Sequence, residues 1–241
     1  MTAVTQGRLA VGVVGAGPAA IAMAQALAGA GHLLVGIAPT AHEDRDRAEA
    51  MLQGVDILTV GEVLERGELV IIAVDERELV PTIGAISEEK LWKPGQLVAH
   101  TSPTYGFGVL SAATQAGVIP LAIHPAMRFT GTSLDQNRMR ETFFAVSAPK
   151  VALPIAQALV IEMGAEPVVI EEDQRAAYAE GFEVATNFSA LVVNQAIGLL
   201  ESAGIQNARG IIAPTVRSAV ETALDDGHTP IDPADILRES D

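Results

Sequence analysis

The sequence predicts a doubly wound, mostly parallel α/β sheet followed by a small all-helical C-terminal domain. Three observations carry this expectation. Apolar runs of strand length alternate with helical runs from Leu9 to Ile170. The first strand–helix junction reads Gly15-Ala16-Gly17-Pro18-Ala19-Ala20, a turn of the G-x-G-x-x-A kind. From Glu171 onward the alternation stops and only helical patterning remains. The expected division is therefore a sheet domain over residues 1–170 and a helical domain over residues 171–241.

In chain order, the first strand is the apolar run Leu9–Val14, and Gly29 and Gly31 close the Ala-rich helix that follows. Between them each residue has a physical task. Gly15 permits the tight turn out of the strand, and Gly17 lets a pyrophosphate approach the backbone. Ala20 is small enough for the helix to pack on the strand. The helix start, with Ala16, Pro18 and Ala19, presents free N–H groups and a partial positive charge to phosphates. This turn reads as dinucleotide-binding; a tight turn that binds no nucleotide is the plainer alternative.

Leu33–Ala38 is the second strand. A site for NAD places an Asp or Glu about 20 residues after the glycines, to hold the ribose 2′-OH. Here that place holds Ala38, Pro39 and Thr40, with Arg45 and Arg47 just beyond. A missing acid with Thr40 and arginines nearby favours NADP, with NAD still open, because Glu43, Asp44 and Asp46 lie among those arginines.

His42–Gln53 reads as a helix, Asp56–Thr59 as a short strand and Val60–Arg66 as a helical turn. Glu68–Val74 is a continuous apolar run, as a strand buried on both faces requires. Val74 and Asp75 sit at its carboxyl end, where ligands of open α/β sheets lie. Asp75 either lines that cleft or caps the next helix, Glu76–Ser87. Gln96–Ala99 is a strand ending at His100; Thr101 and Ser102 follow on the cofactor side. A helix is expected over Val109–Ala116 and a strand over Val118–Ile123, with His124-Pro125 directly after it. Asn137–Glu141 reads as a polar interruption, Thr142–Val146 as a strand, Val151–Met163 as a helix and Glu166–Ile170 as the last strand. One long helix then runs to about Ala203, and the tail His228–Asp241 is expected to be a mobile end.

The bulk numbers limit the function classes. In 241 residues there are 30 acidic against 15 basic side chains, a net charge of −15, and no Cys. Such a surface repels nucleic acid and anionic membranes, and disulfides or thiolate chemistry are excluded. MTAVTQGRLA lacks a signal peptide's pattern, and no apolar run is long enough for a membrane span. A cytoplasmic protein acting on a small molecule is expected.

The chemistry-bearing candidates are His100 and His124, each at a strand end on the ligand edge, where it can bond a carbonyl or act as a general acid. The alternative is that they cap and pack. No carboxylate or Cys stands near either at ligand spacing, so no metal is expected. Hydrolysis by Thr101 or Ser102 lacks a G-x-S-x-G elbow. Arg128, after His124-Pro125, suits a substrate carboxylate or a surface ion pair. On the long helix Glu180, Glu183, Asn187 and Asn194 share one face, with Asn187 the candidate to orient a carbonyl or imine and Glu183 to line the substrate side. A solvated or dimer-facing stripe is the plainer reading. Ala190–Leu200 is apolar enough to call for a partner helix, so a homodimer through the C-terminal helices is expected.

With these residues in view, the motifs VGVVGAGPAA, IIAVDE, GQLVAHTSP, PLAIHP and RAAYAEGFEVATNF, within about Ala10 to Leu200, carry a resemblance. The chain resembles Rossmann-like proteins with a C-terminal domain of unknown function 2520, relatives of pyrroline-5-carboxylate reductase and ketopantoate reductase. The resemblance implies an NADP-linked reductase-like fold whose helical domain often makes dimers; it names no substrate. The chain departs from the family in three ways. Pro103 stands where relatives have Gly, Ala179 follows Tyr178 where many have His, and the helical domain is short. The lysines, Lys90, Lys93 and Lys150, are all off the long helix, which argues against hydroxyacid dehydrogenase chemistry. The leading expectation is an NADP-dependent oxidoreductase reducing a small keto or imino acid, with His124 or a bound water supplying the proton. The alternative is a nucleotide-binding, non-catalytic or regulatory dimer.

Overall fold

The computed structural model of this chain describes residues 7–40 and 42–225. Contacts divide the chain into two units, the first ending at Phe182 and the second starting at Glu183.

The first unit is built on seven strands: β1 (Ala10–Val14), β2 (Leu33–Ala38), β3 (Leu69–Ile72), β4 (Leu97–His100), β5 (Ile119–Pro125), β6 (Phe143–Ser147) and β7 (Glu166–Val169). Their order in the sheet is β2-β1-β3-β4-β5-β6-β7. All neighbouring pairs are parallel except β5 and β6. The central strands are short and buried along their whole length, which is why they read as unbroken apolar runs rather than alternating ones.

Between the strands run α1 (Pro18–Gly29), α2 (His42–Met51), α3 (Val60–Arg66), α4 (Glu76–Glu88), α5 (Ser111–Gln115), α6 (Leu134–Met139) and α7 (Leu153–Glu162). They cover both faces. Val13, Ile71, Ala99, Leu121, Ile123, Phe144 and Val146 share a core with α1 and α7. Val14, Val70, Ile72 and Val98 share the other with α3, α4 and α5. Side chains alternate along a strand, so His100, His124, Ala145 and Ser147 all fall on this second face. The register sets Val14, Ile72, His100, Ala122 and Ser147 in one row across the sheet. His124 stands two residues further toward the carboxyl edge.

Three local expectations change. Asp56–Thr59 is no strand: it joins the sheet by an isolated parallel bridge from Ile57 to Ile37, with the Leu58 side chain filling the space over Gly36. α6 begins before the expected polar interruption and overlaps it through Met139, with Asp135 and Met139 both buried. β5 also runs on through His124 and Pro125, because both pair with the antiparallel β6.

The long helix is composite. A 3₁₀ turn (Glu172–Gln174) leads into α8 (Arg175–Glu183), and a π-helical stretch over Val184–Phe188 precedes α9 (Ser189–Ser202). In the second unit α9 packs with α10 (Ala208–Asp225) through a turn at Gly204 and Asn207, both with positive φ. Leu191, Val192, Leu199 and Ile211 are exposed there. No helix among the described residues is long and apolar enough to cross a membrane. The tail His228–Asp241 lies outside the described residues.

Candidate active site

The turn after β1 is fixed from two sides. Gly15 has φ +97°, and its N–H donates to the carbonyl of Ala38 at 2.8 Å. A Cβ on Gly15 would stand 2.2 Å from the carbonyl oxygen of Ala73, so only glycine fits. Gly17 is the opposite case. It is the N-cap of α1, and a Cβ there would meet nothing within 4 Å. Pro18 opens the helix and no side chain caps it, so the positive end of the helix faces outward without an acceptor. Ala16 is buried beneath the turn and Ala19 lies half-buried on the first turn of α1.

A cleft of ≈ 550 Å³ opens at this point, bringing Gly17, Pro18, Thr40, Val74 and Asp75 together as expected and adding Asp44, Arg47 and Glu78. Asp75 is the N-cap residue of α4 but makes no capping bond, which leaves its carboxylate to the cleft. Arg47 Nη1 is 2.6 Å from Asp44 Oδ1, so its charge is partly answered by the protein itself. Past Thr40 an apolar hollow of ≈ 200 Å³ lies between Val60, Ala85, Ile86 and Leu91. The open Gly17, the uncapped helix and the cleft fit a dinucleotide's pyrophosphate.

The His100 loop is held from within. His100 Nε2 donates to the carbonyl of Gly106 at 2.9 Å, and Nδ1 accepts from the Ser102 N–H at 3.3 Å. The ring is fully buried. Both nitrogens of His100 are thus engaged within its own loop, the capping-and-packing arrangement that stands as the alternative to a catalytic His100. Ser102 is spent as well: Oγ donates to Glu76 and accepts from the N–H groups of Thr104 and Tyr105. Thr101 beside it is half-buried.

His124 has a different setting. Its Nδ1 lies 2.7 Å from Tyr178 Oη. Phe182 stands edge-on to the imidazole at 4.8 Å between centroids, and Tyr178 at 5.6 Å. Behind them Arg175 is 2% exposed, donating from Nε to Ser147 Oγ at 2.8 Å. Burial pushes His124 down to about 3, helped by the Arg175 charge and by His100. Burial also takes His100 down to about 4, with Arg175 adding to it against the opposing bond to Gly106. Burial pushes the Tyr178 phenol up to about 12, with Arg175 pulling the other way. Both imidazoles are thus neutral near pH 7, and His124 meets the phenol as an uncharged ring. If Nδ1 carries the shared hydrogen to Oη, the phenol O–H is left to donate elsewhere.

Arg128 is exposed and makes no ion pair among the described residues. Glu183 and Asn187 belong to the second unit, where Asn187 Nδ2 donates to Glu183 Oε1 at 3.4 Å. The sequence reading missed Tyr178, Arg175 and Phe182. Their spacing held one signal: i, i+3 and i+7 put all three on one helix face.

A model for Rossmann-like domains matches residues 1–125, and one for a domain of unknown function, DUF2520, matches residues 142–231. No curated protein matches the chain. Among solved structures the chain is similar to a candidate NADP oxidoreductase from Bacteroides fragilis, at 17% identity and TM-score 0.71 over 89% of this chain and 80% of that one. It is also similar to an imine reductase from Streptomyces aurantiacus, at 20% identity and TM-score 0.66 over 88% and 73%. A third is 3-hydroxyisobutyrate dehydrogenase from Mycobacterium tuberculosis, at 18% identity and TM-score 0.61 over 83% and 68%. At these identities the likeness is one of fold.

Proposed function

The chain belongs to the family of Rossmann-like domains, joined here to a DUF2520 region, and from that premise we propose that it is an NADP-dependent oxidoreductase reducing a small keto or imino acid in the cytoplasm. The observation that carries this reading is the uncapped start of α1 at Gly17, open onto a cleft at the carboxyl ends of the strands, the edge toward which β5 carries His124.

In this reading the pyrophosphate lies on Gly15, Ala16, Gly17, Pro18 and Ala19. Thr40 and Arg47 take the 2′-phosphate, the apolar hollow past Thr40 takes the adenine, and Val74 and Asp75 flank the ribose. Thr101 and Ser102 edge the nicotinamide side. The nicotinamide, when bound, supplies the hydride. Tyr178 Oη donates the proton to the carbonyl oxygen or imine nitrogen, and neutral His124 holds the phenol in place through Nδ1. Phe182 packs edge-on against the buried His124, while the phenol is half-buried.

The test is direct. NADPH fluorescence is recorded on mixing, and keto and imino acids are then screened for oxidation. Binding with turnover is expected, and Tyr178→Phe should abolish the turnover while keeping the binding. Alanine at Arg128, Glu183 or Asn187 in the same assay reports their substrate roles. Binding without turnover of any acid favours a non-catalytic or regulatory nucleotide-binding protein, and no binding overturns both. The exposed Leu191, Val192 and Leu199 support a dimer through the helices of residues 171–241. Light scattering should give twice the mass of the 25.1 kDa chain. A monomer mass at micromolar concentration refutes it.

A further inference from the structure

Arg175 is a buried cation with no carboxylate at ion-pair distance among the described residues; Glu172 acts on it only through space. The residue is 2% exposed. Nε is held by Ser147 Oγ, Nη2 reaches the carbonyl of Ala145 at 3.4 Å, and Nη1 has no acceptor among the described residues. Ser147 Oγ gives its own hydrogen to the carbonyl of Ile170, so it is fixed as an acceptor toward Arg175. These partners are neutral. No carboxylate pairs with this guanidinium among the described residues, in a chain with 30 acidic side chains. Glu172, three residues away, instead accepts from the Gly108 N–H at 3.1 Å.

A charge left unpaired in a low-dielectric site is costly, and it acts strongly on any charge that appears beside it. The group beside it is Tyr178, whose ring centroid lies 5.9 Å from Arg175 Cζ. Among the described residues the phenol meets His124 from β5 and Arg175 from its own helix, while His100 from β4 acts on His124 and Glu172 from the 3₁₀ turn acts on Arg175. With both imidazoles neutral, Arg175 is the group able to answer a negative charge on Oη.

We propose that Arg175 is a positioning residue for proton transfer: held by Ser147 and Ala145, its unpaired charge stabilises the phenolate formed when Tyr178 gives its proton to the substrate. In that step the Tyr178 O–H bond breaks and its electron pair stays on Oη. The proton forms the new O–H or N–H bond on the substrate, whose carbon takes a hydride from the nicotinamide. The Arg175 pull on the phenol, opposed to burial, agrees with this geometry. The inference rests on the reductase reading, but its test does not require turnover.

The chain has two tyrosines, Tyr105 and Tyr178. Tyr105→Phe leaves one, and 3-fluorotyrosine labelling lowers its alkaline titration and lets ¹⁹F resonances report ionisation. In ligand-free protein, Arg175→Gln keeps hydrogen-bond donors near Ser147 and removes the charge. The phenol should then titrate about one pH unit higher, a roughly tenfold loss of phenolate at fixed pH. Arg175→Lys should restore most of it. In the reductase assay Arg175→Gln should lower kcat about tenfold or more with KM nearly unchanged. Should Arg175→Gln fail to fold, its resonance collapses to the random-coil position, and Arg175→Lys against Arg175→Met repeats the comparison. A phenol that titrates alike with and without the charge overturns the proposal, whatever the enzyme turns over. A changed titration in a protein that never oxidises NADPH overturns the reductase reading instead.

Discussion

Gly17→Asp should weaken dinucleotide binding and stabilise the empty fold at once. Gly17 has φ −65° and ψ 172°, a conformation open to any residue, and its Cβ would meet no atom within 4 Å. Asp also caps a helix better than Gly and restricts the unfolded chain, which together add about 0.5–1 kcal/mol. For a chain of this size that raises Tm by about 2–3 °C. Binding moves the other way. A carboxylate about 5 Å from one phosphate charge, at an effective dielectric constant of about 20, costs about 3 kcal/mol. That is roughly a two-hundredfold loss of NADPH affinity. Gly15→Ala is the control. At φ +97°, with a Cβ 2.2 Å from the Ala73 carbonyl oxygen, it should lose stability and binding together. Thermal melts and NADPH fluorescence titrations read both effects. NADPH bound by Gly17→Asp as tightly as by the parent refutes the phosphate-turn argument, and a Tm drop like that of Gly15→Ala refutes the account of the open Cβ.

Two further outcomes are expected. His124 and His100 have folded pKa values of about 3 and about 4 against an ordinary 6.5, so below pH 6.5 the unfolded chain binds protons that the folded one does not. Stability is therefore full above that pH and falls as acid is added, by up to about 2.7 kcal/mol per pH unit while both imidazoles are engaged. Urea midpoints at pH 7.5 and 5.5 should differ accordingly, and equal midpoints would be the contrary result. Asp44→Asn frees the guanidinium that Asp44 holds at 2.6 Å, and should raise NADPH affinity about fivefold over NADH; an unchanged NADPH-to-NADH ratio of dissociation constants removes Arg47 from the 2′-phosphate.

The parts of the fold that sequence reveals are those decided locally. Leu33–Ala38 is both the expected second strand and the observed one, because a six-residue apolar run has little else to become. The phosphate turn is equally local. What escaped notice depends on partners distant in the chain. Tyr178 meets His124 across 54 residues and Arg175 meets Ser147 across 28, so neither contact leaves a pattern in its own neighbourhood. His100 illustrates the converse. Its place at a strand end was legible, but its loss of both nitrogens to the backbone of its own loop was not, because that depends on how residues 101–106 fold back. The π-helical stretch at Val184–Phe188 likewise has no Pro or Gly to announce it.

The two-sided grip on Gly15 bears on how long the molecule survives in a cell. Its N–H is tied to Ala38 at the end of β2, and its missing side chain makes room for Ala73 just past β3. In the folded state the turn is held by contacts from both neighbouring strands, so a dinucleotide seated on it would favour the assembled core over the unfolded chain. By mass action a ligand at a hundred times its Kd adds about 2.7 kcal/mol to that core. A protease that waits for unfolding would meet about a hundred times fewer open molecules. Turnover of this protein would then follow the nucleotide supply of its surroundings, with copies accumulating when the cofactor is plentiful and being cleared when it is scarce.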